Sequence, residues 1–137
     1  MRCARPWCAL PYEFFLDRNL GRHVAEELRA REWTVHRIGE VFPSDAQAIP
    51  DEEWIIHGLD QGWVPLSKDS RIKSRDHEIQ PVRDRGATLF YLDNQQLPTM
   101  EMVERLHRCR TLIHQAIARG GPAAYAVRAD RIDRTWP

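Results

Sequence analysis

The sequence predicts an α/β protein: one domain, built as a three-layer sandwich around a mostly parallel central sheet. Three observations carry that expectation. Short apolar stretches alternate with longer segments of helical periodicity, the pattern of repeated strand–helix–strand units. The first strand candidate, Tyr12 to Leu16, has Glu13 as its single charged residue, which suits a strand covered on both faces. Two strand candidates also end in acid, Phe14-Phe15-Leu16 in Asp17 and Ala87 to Leu92 in Asp93-Asn94, at the strand end where open α/β sheets place their ligands.

A chain of 137 residues is long enough for one real core and short for two. Hydrophobic residues make up 42% and charged residues 29%, as in ordinary globular proteins. The 20 basic residues balance the 20 acidic ones, so no global field points to a polyanion or a membrane, and anion binding has to come from local segregation of charge. No apolar run approaches the roughly 20 residues of a membrane span. Cys3, Cys8 and Cys109 are odd in number and lack C-x-x-C spacing, which speaks against a disulfide framework and a zinc knuckle. Reduced thiols in a cytoplasm are the simplest account. Residues 1–11 lack the apolar core of a signal peptide and read as a leader before the first strand.

Taken in order, Tyr12 to Leu16 is the first strand. Asn19 can cap the helix that runs to about Arg31, with Leu20, Val24 and Leu28 in one apolar stripe. Thr34 to Ile38 is a short strand and residues 39–49 a loop. Pro50-Asp51-Glu52-Glu53 opens a helix, because proline fits the first turn and acids favour its positive end. Trp54, Ile55 and Leu59 give that helix a core face, and Gly62 can end it. Trp63 to Ser67 is a strand weakened by Pro65, which has no N–H for a ladder. Residues 68–85 read as a polar connection and Ala87 to Leu92 as a strand. One long helix then runs from Pro98-Thr99 to Gly120, with Met102, Leu106, Cys109, Ile113 and Ile117 on its core face. The stretch around Tyr125 and Val127 could be a last edge strand.

Acids fall at three comparable breaks: Asp17 after the first strand, Asp51 to Glu53 at a helix start, and Asp69 after Val64 to Ser67. Parallel strands with right-handed crossovers put their carboxyl ends on one side of the sheet. Asp17 and Asp69 could therefore share a face, with an acid from the Asp51 region reaching the same cleft. Carboxylates so gathered need a positive partner, and a hard oxygen-seeking ion such as Mg²⁺ or Mn²⁺ supplies it. Each acid also has a structural reading: Asp17 as a turn residue, Asp51 as a helix-start acid. Lys68, Arg71, Lys73 and Arg75 surround Asp69 in the sequence and can track a phosphate backbone, or simply form a solvated loop.

The order LDRNLG (16–21), PDEEWI (50–55) and VPLSKD (64–69) resembles the compact PIN-like domains, metal-dependent ribonucleases that often serve as toxins of toxin–antitoxin pairs. Their pattern runs LDENLP, then S/T-DEE-I, then V-L-V-T-K-D, and the likeness covers about residues 12 to 72. It implies a PIN-like domain over 12–137, with a further strand and long helix at 87–120. It implies that Asp17, Asp51 and Asp69 hold Mg²⁺ or Mn²⁺ for hydrolysis of RNA phosphodiesters, and that Ser67 takes the place of the family's small hydroxyl residue. It implies an RNA substrate, a small protein antitoxin as partner and a cytoplasmic location, with a homodimer left open. Arg18 stands where the family carries an acid, and Arg71 where a fourth acid is often found. Asp76 or Asp93 are the alternatives for that place by geometry, and Glu52 or Glu53 the alternatives to Asp51. The alternative function is a non-catalytic module of the same fold that binds nucleic acid or protein. A phosphoacceptor receiver domain fits less well, since Glu13 and Asp17 lie too far apart to form its acidic pair.

Overall fold

The structure is a computed structural model that describes residues 12–42, 50–68, 76–92 and 96–137; within these the side chains of Asn19 and Asp51 are not described. Six strands form one sheet: β1 (Glu13–Leu16), β2 (Thr34–Arg37), β3 (Val64–Ser67), β4 (Thr88–Tyr91), β5 (Ala123–Val127) and β6 (Ile132–Trp136). Their spatial order is β2-β1-β3-β4-β5-β6, with every pair parallel except the antiparallel β5–β6. Among the described residues six α-helices accompany the sheet: α1 (Gly21–Ala30), α2 (Ile38–Val41), α3 (Asp51–Asp60), α4 (Asp76–Arg85), α5 (Thr99–Arg108) and α6 (Arg110–Arg119).

Side chains alternate across the strands and divide the core into two layers. Phe14, Leu16, Leu66 and Phe90 pack with Val24 and Leu28 of α1 and with Val103, Leu106 and Ile113 of α5 and α6. Phe15, Leu89 and Tyr91 face the other way, against Ile38, Trp54, Ile55, Ile79 and Val82 from α2, α3 and α4. The three-layer sandwich and its mostly parallel sheet therefore stand as the sequence predicts.

Several elements differ from the sequence reading. A 3₁₀ turn, Arg18–Leu20, precedes α1, which starts at Gly21 with φ +85° and no side-chain cap. A left-handed backbone there requires glycine. Ile38 ends no strand but opens α2 within the expected loop. The polar connection contains α4, which buries Glu78, Ile79, Pro81 and Val82 on one face. Its charge and its internal proline hide a helix whose apolar stripe is narrow.

Pro65 lies in a central strand. Leu66 C=O accepts from Asp17 N on the β1 side and Ser67 C=O from Leu92 N on the β4 side, each at 2.9 Å. Alternation therefore turns Pro65 toward β4, where the pairing begins only at Leu66–Phe90, so its missing N–H interrupts no paired position. The long helix is two, broken at Cys109 (φ −90°, ψ 7°), although its expected core face is otherwise kept. The last predicted strand is not an edge: β5 is buried along its length and β6, unforeseen, covers it. Residues 1–11 and the expected loop at 43–49 lie outside the described residues. Among the described residues no helix is long and apolar enough to cross a membrane.

Two histidines titrate with the fold. Trp33 Nε1 donates to His107 Nδ1 at 3.0 Å, which requires the neutral ring, and His114 packs on Tyr12 and Phe14. Burial first, and nearby Arg110 second, hold both below the ordinary imidazole value of 6.5. The unfolded chain then binds more protons as pH falls below that value, so stability declines from there until the folded-state values are passed. His107→Gln keeps an acceptor for Trp33 and removes one titrating ring. Its denaturation midpoint should change less than the wild type's between about pH 7 and pH 5. An unchanged pH slope would show that His107 contributes nothing to acid destabilisation.

Candidate functional site at the carboxyl ends of β1 and β3

The chain leaves β1 through α1 to β2 on one side, then returns across the sheet to β3 on the other. Helix α1 covers one face and α3 the opposite one, so the connections diverge and open a crevice at the carboxyl ends of β1 and β3. Asp17 stands at that point. Phe14, Phe15 and Leu16 are fully or almost fully buried and fix its backbone, and Asp17 as a whole is only 6% exposed.

Leu16 pairs with Leu66, so the next residues, Asp17 and Ser67, come level across the two strands. Asp17 N donates to Leu66 C=O at 2.9 Å, and Ser67 Oγ donates to Asp17 Oδ2 at 2.9 Å. Ser67 is fully buried. A buried carboxylate is costly without donors, and this one is met by a hydroxyl from the neighbouring strand. The two residues singled out in LDRNLG and VPLSKD are thus brought together.

Helices α3 and α4 lead into β3 and β4, so their first turns lie at the same carboxyl end of the sheet as Asp17. An ion pair between Arg85 Nε and Asp60 Oδ1 at 2.9 Å joins their last turns and shows that they run side by side. This places the backbone of Asp51 at that end. Glu52 is half-buried and Glu53 exposed. Asp69, Arg71, Lys73, Arg75 and Asp93 lie outside the described residues, and Lys68, half-buried, is the last residue described after β3. Asp76 is exposed at the start of α4, whereas Glu78, which the sequence reading passed over, is 6% exposed. Among the described residues no three His, Cys, Asp or Glu groups gather as a metal site.

On the β2 side of Asp17 a pocket of about 150 Å³ is lined by Leu16, Asp17, Arg18, Gly21, Arg22, Arg37, Ile38 and Gly39. Its three arginines come from the 3₁₀ turn, the start of α1 and the last residue of β2. No linear motif joins residues 18, 22 and 37, so only the parallel pairing of β1 with β2 reveals them. Glu40 shapes this rim: it accepts from Arg37 N at 3.1 Å and from both terminal nitrogens of Arg29 at 2.8 and 3.1 Å. The Arg29 hydrogen bonds hold the Glu40 carboxyl below its ordinary range.

A doubly covered parallel sheet with a buried acid at its switch point defines a class of α/β domains that bind ligands beyond their strand ends. The sequence pattern of the PIN-like domain family matches residues 12–94, and the chain belongs to that family. The match reaches past residue 72, through β4. Among curated proteins the chain is similar to "Putative ribonuclease VapC45" of Mycobacterium tuberculosis, 29% identical over 122 residues that span 88% of each chain. No solved structure matches it.

Ser67→Ala leaves the Asp17 carboxylate without this donor in a buried place. We expect a loss of about 1–3 kcal/mol in chemical denaturation at neutral pH, with Ser67→Thr close to wild type. A fully stable Ser67→Ala protein would show that the hydroxyl does not support Asp17.

Proposed function

We propose that this protein is a metal-dependent endoribonuclease and the toxin of a type II toxin–antitoxin pair. The observation that carries the reading is the buried Asp17 held by Ser67 at the switch point of a PIN-like chain. The similarity to a protein named a ribonuclease, along 88% of both chains, supports it.

Asp17, Asp51 and Asp69 would hold Mg²⁺ or Mn²⁺, with Glu52 or Glu53 as the alternative to Asp51. The donor chemistry fits: Asp17 offers a carboxylate at the sheet end, α3 brings an acid-rich first turn to that end, and oxygen ligands suit hard cations. Such an ion, when bound, lowers the pKa of its water and offsets charge on a reacting phosphate. Ser67 keeps the Asp17 carboxylate in one orientation. Glu78, buried in the first turn of α4, is our candidate for the fourth acid that Arg71 does not supply. Lys68, Arg71, Lys73 and Arg75 would hold the RNA backbone without reading its sequence. A small protein antitoxin would cover the cleft, and the location would be cytoplasmic.

The arginines at positions 18 and 71 favour one competing reading, a PIN-like module that binds without cleaving. Cleavage of RNA by the purified protein, dependent on added Mg²⁺ or Mn²⁺ and lost with chelator, separates the two. Asp17→Asn keeps an acceptor for Ser67 and removes the charge. It should reduce cleavage by roughly 10²-fold or more and abolish the rise in melting temperature that Mn²⁺ gives the wild type. Cleavage that survives chelation, or an Asp17→Asn protein that cleaves normally, overturns the metal site.

A further inference from the structure

We propose that the pocket formed by Arg18, Arg22 and Arg37 is a phosphate subsite, which binds a backbone phosphate of the RNA strand beside the one at Asp17. The inference rests on the nuclease reading above and adds a second binding surface, on the opposite side of Asp17 from the end of β3. Among the described residues, three guanidiniums line the pocket against one carboxylate, Asp17, and that carboxylate already accepts from Ser67. Glu40, the nearest acid along the chain, is occupied by Arg29 and by the Arg37 backbone. The local excess of positive charge therefore stands in a chain whose total charge is zero.

The geometry suits a phosphate. Arginine presents planar, forked donors that match phosphate oxygens in pairs. The pocket is large enough for a phosphate with some of its water, and its walls come from three separate elements, so the arginines converge without lying side by side on one helix. Among the described residues Arg22 pairs with Glu26, at a long 3.7 Å and exposed on both sides (67% and 55%), an ion pair that a phosphate can displace. Gly21 keeps a side chain out of the pocket wall at a φ of +85° that other residues rarely adopt. In the strand order β2-β1-β3, Ser67 and the β3 end flank Asp17 on one side and the arginines flank it on the other. A single strand laid across the carboxyl ends meets both.

The test is binding of a short, dye-labelled single-stranded RNA in chelator, read by fluorescence anisotropy over a range of salt, so that no cleavage enters the measurement. Each phosphate contact contributes about 0.7 to the slope of log affinity against log salt for single strands. The double variant Arg22→Gln, Arg37→Gln should remove that one contact, lower the slope by about 0.7 and weaken binding to all sequences alike. Arg22→Lys with Arg37→Lys should restore most of the slope. Arg119→Gln, at the opposite end of the sheet, should leave it unchanged. Wild-type binding with an unaltered slope in the double glutamine variant overturns the subsite and leaves the nuclease reading standing. A wild-type protein with no affinity for the RNA overturns both.

Discussion

The site depends on β1 being hydrogen-bonded on both sides. With β2 on one flank and β3 on the other, the strand that ends in Asp17 cannot slide or tilt without breaking two ladders. The same arrangement forces the connection after β1 and the one before β3 onto opposite faces of the sheet. Backbone of both strands thus borders the Asp17 position. A crevice at this point follows from strand order alone, and the side chains decide what it can do.

Packing beneath the strand makes the position exact to within a side chain. Gly58 of α3 lies against Phe15, where a Cβ would stand 2.5 Å from Phe15 Cδ2, so α3 approaches β1 closely only because that residue is glycine. Trp54 and Trp63 meet the same phenyl ring edge-on, with centroids 5.6 and 5.1 Å away. On the other face, Phe14 meets Trp33 at 5.0 Å, and Trp33 in turn is tied to His107 of α5. The apolar run that marks β1 in the sequence is therefore also the reason Asp17 is held still. Fold and site share these residues, and a substitution at Phe14 or Phe15 perturbs both.

What was legible in the sequence follows from how strongly each element advertises itself. Buried parallel strands need continuous apolar residues, and Phe14 to Leu16 and Leu89 to Leu92 supplied them. The Asp17 and Ser67 positions were legible because LDRNLG and VPLSKD occur in order, and the structure joins those two residues directly. Elements with weak local signals were not. Helix α4 carries charge at half its positions and a proline at its centre, so its few buried residues drew no stripe. Strand β6 reads IDRTW, half-buried and charged like a protective edge, which sequence alone does not distinguish from a loop. Pro65 argued against a central strand and was accommodated because its nitrogen faces the side where pairing has yet to begin. The arginine pocket could not be read at all, because residues 18, 22 and 37 belong to three elements that only the β1–β2 pairing unites.

That pairing also explains how a neutral chain can hold a strongly charged cleft. Opposite charges left free to meet would cancel, and a row of acids beside a row of arginines would collapse into ion pairs. Here the fold keeps them apart. Arg29 reaches from α1 to Glu40 and to Val35 C=O at 2.7 Å, so the acid that follows Gly39 of the pocket wall is already satisfied. Ser67 does the same for one oxygen of Asp17. With these acids held by specific donors, the guanidiniums that line the pocket outnumber its carboxylates among the described residues. Such an arrangement attracts an anion from water over short range, and it does so beside the one buried carboxylate at the switch point. The placing of the arginines beside Asp17 is therefore a property of the strand order, with Glu40 held by Arg29 and Asp17 by Ser67, neither of which has to touch a ligand.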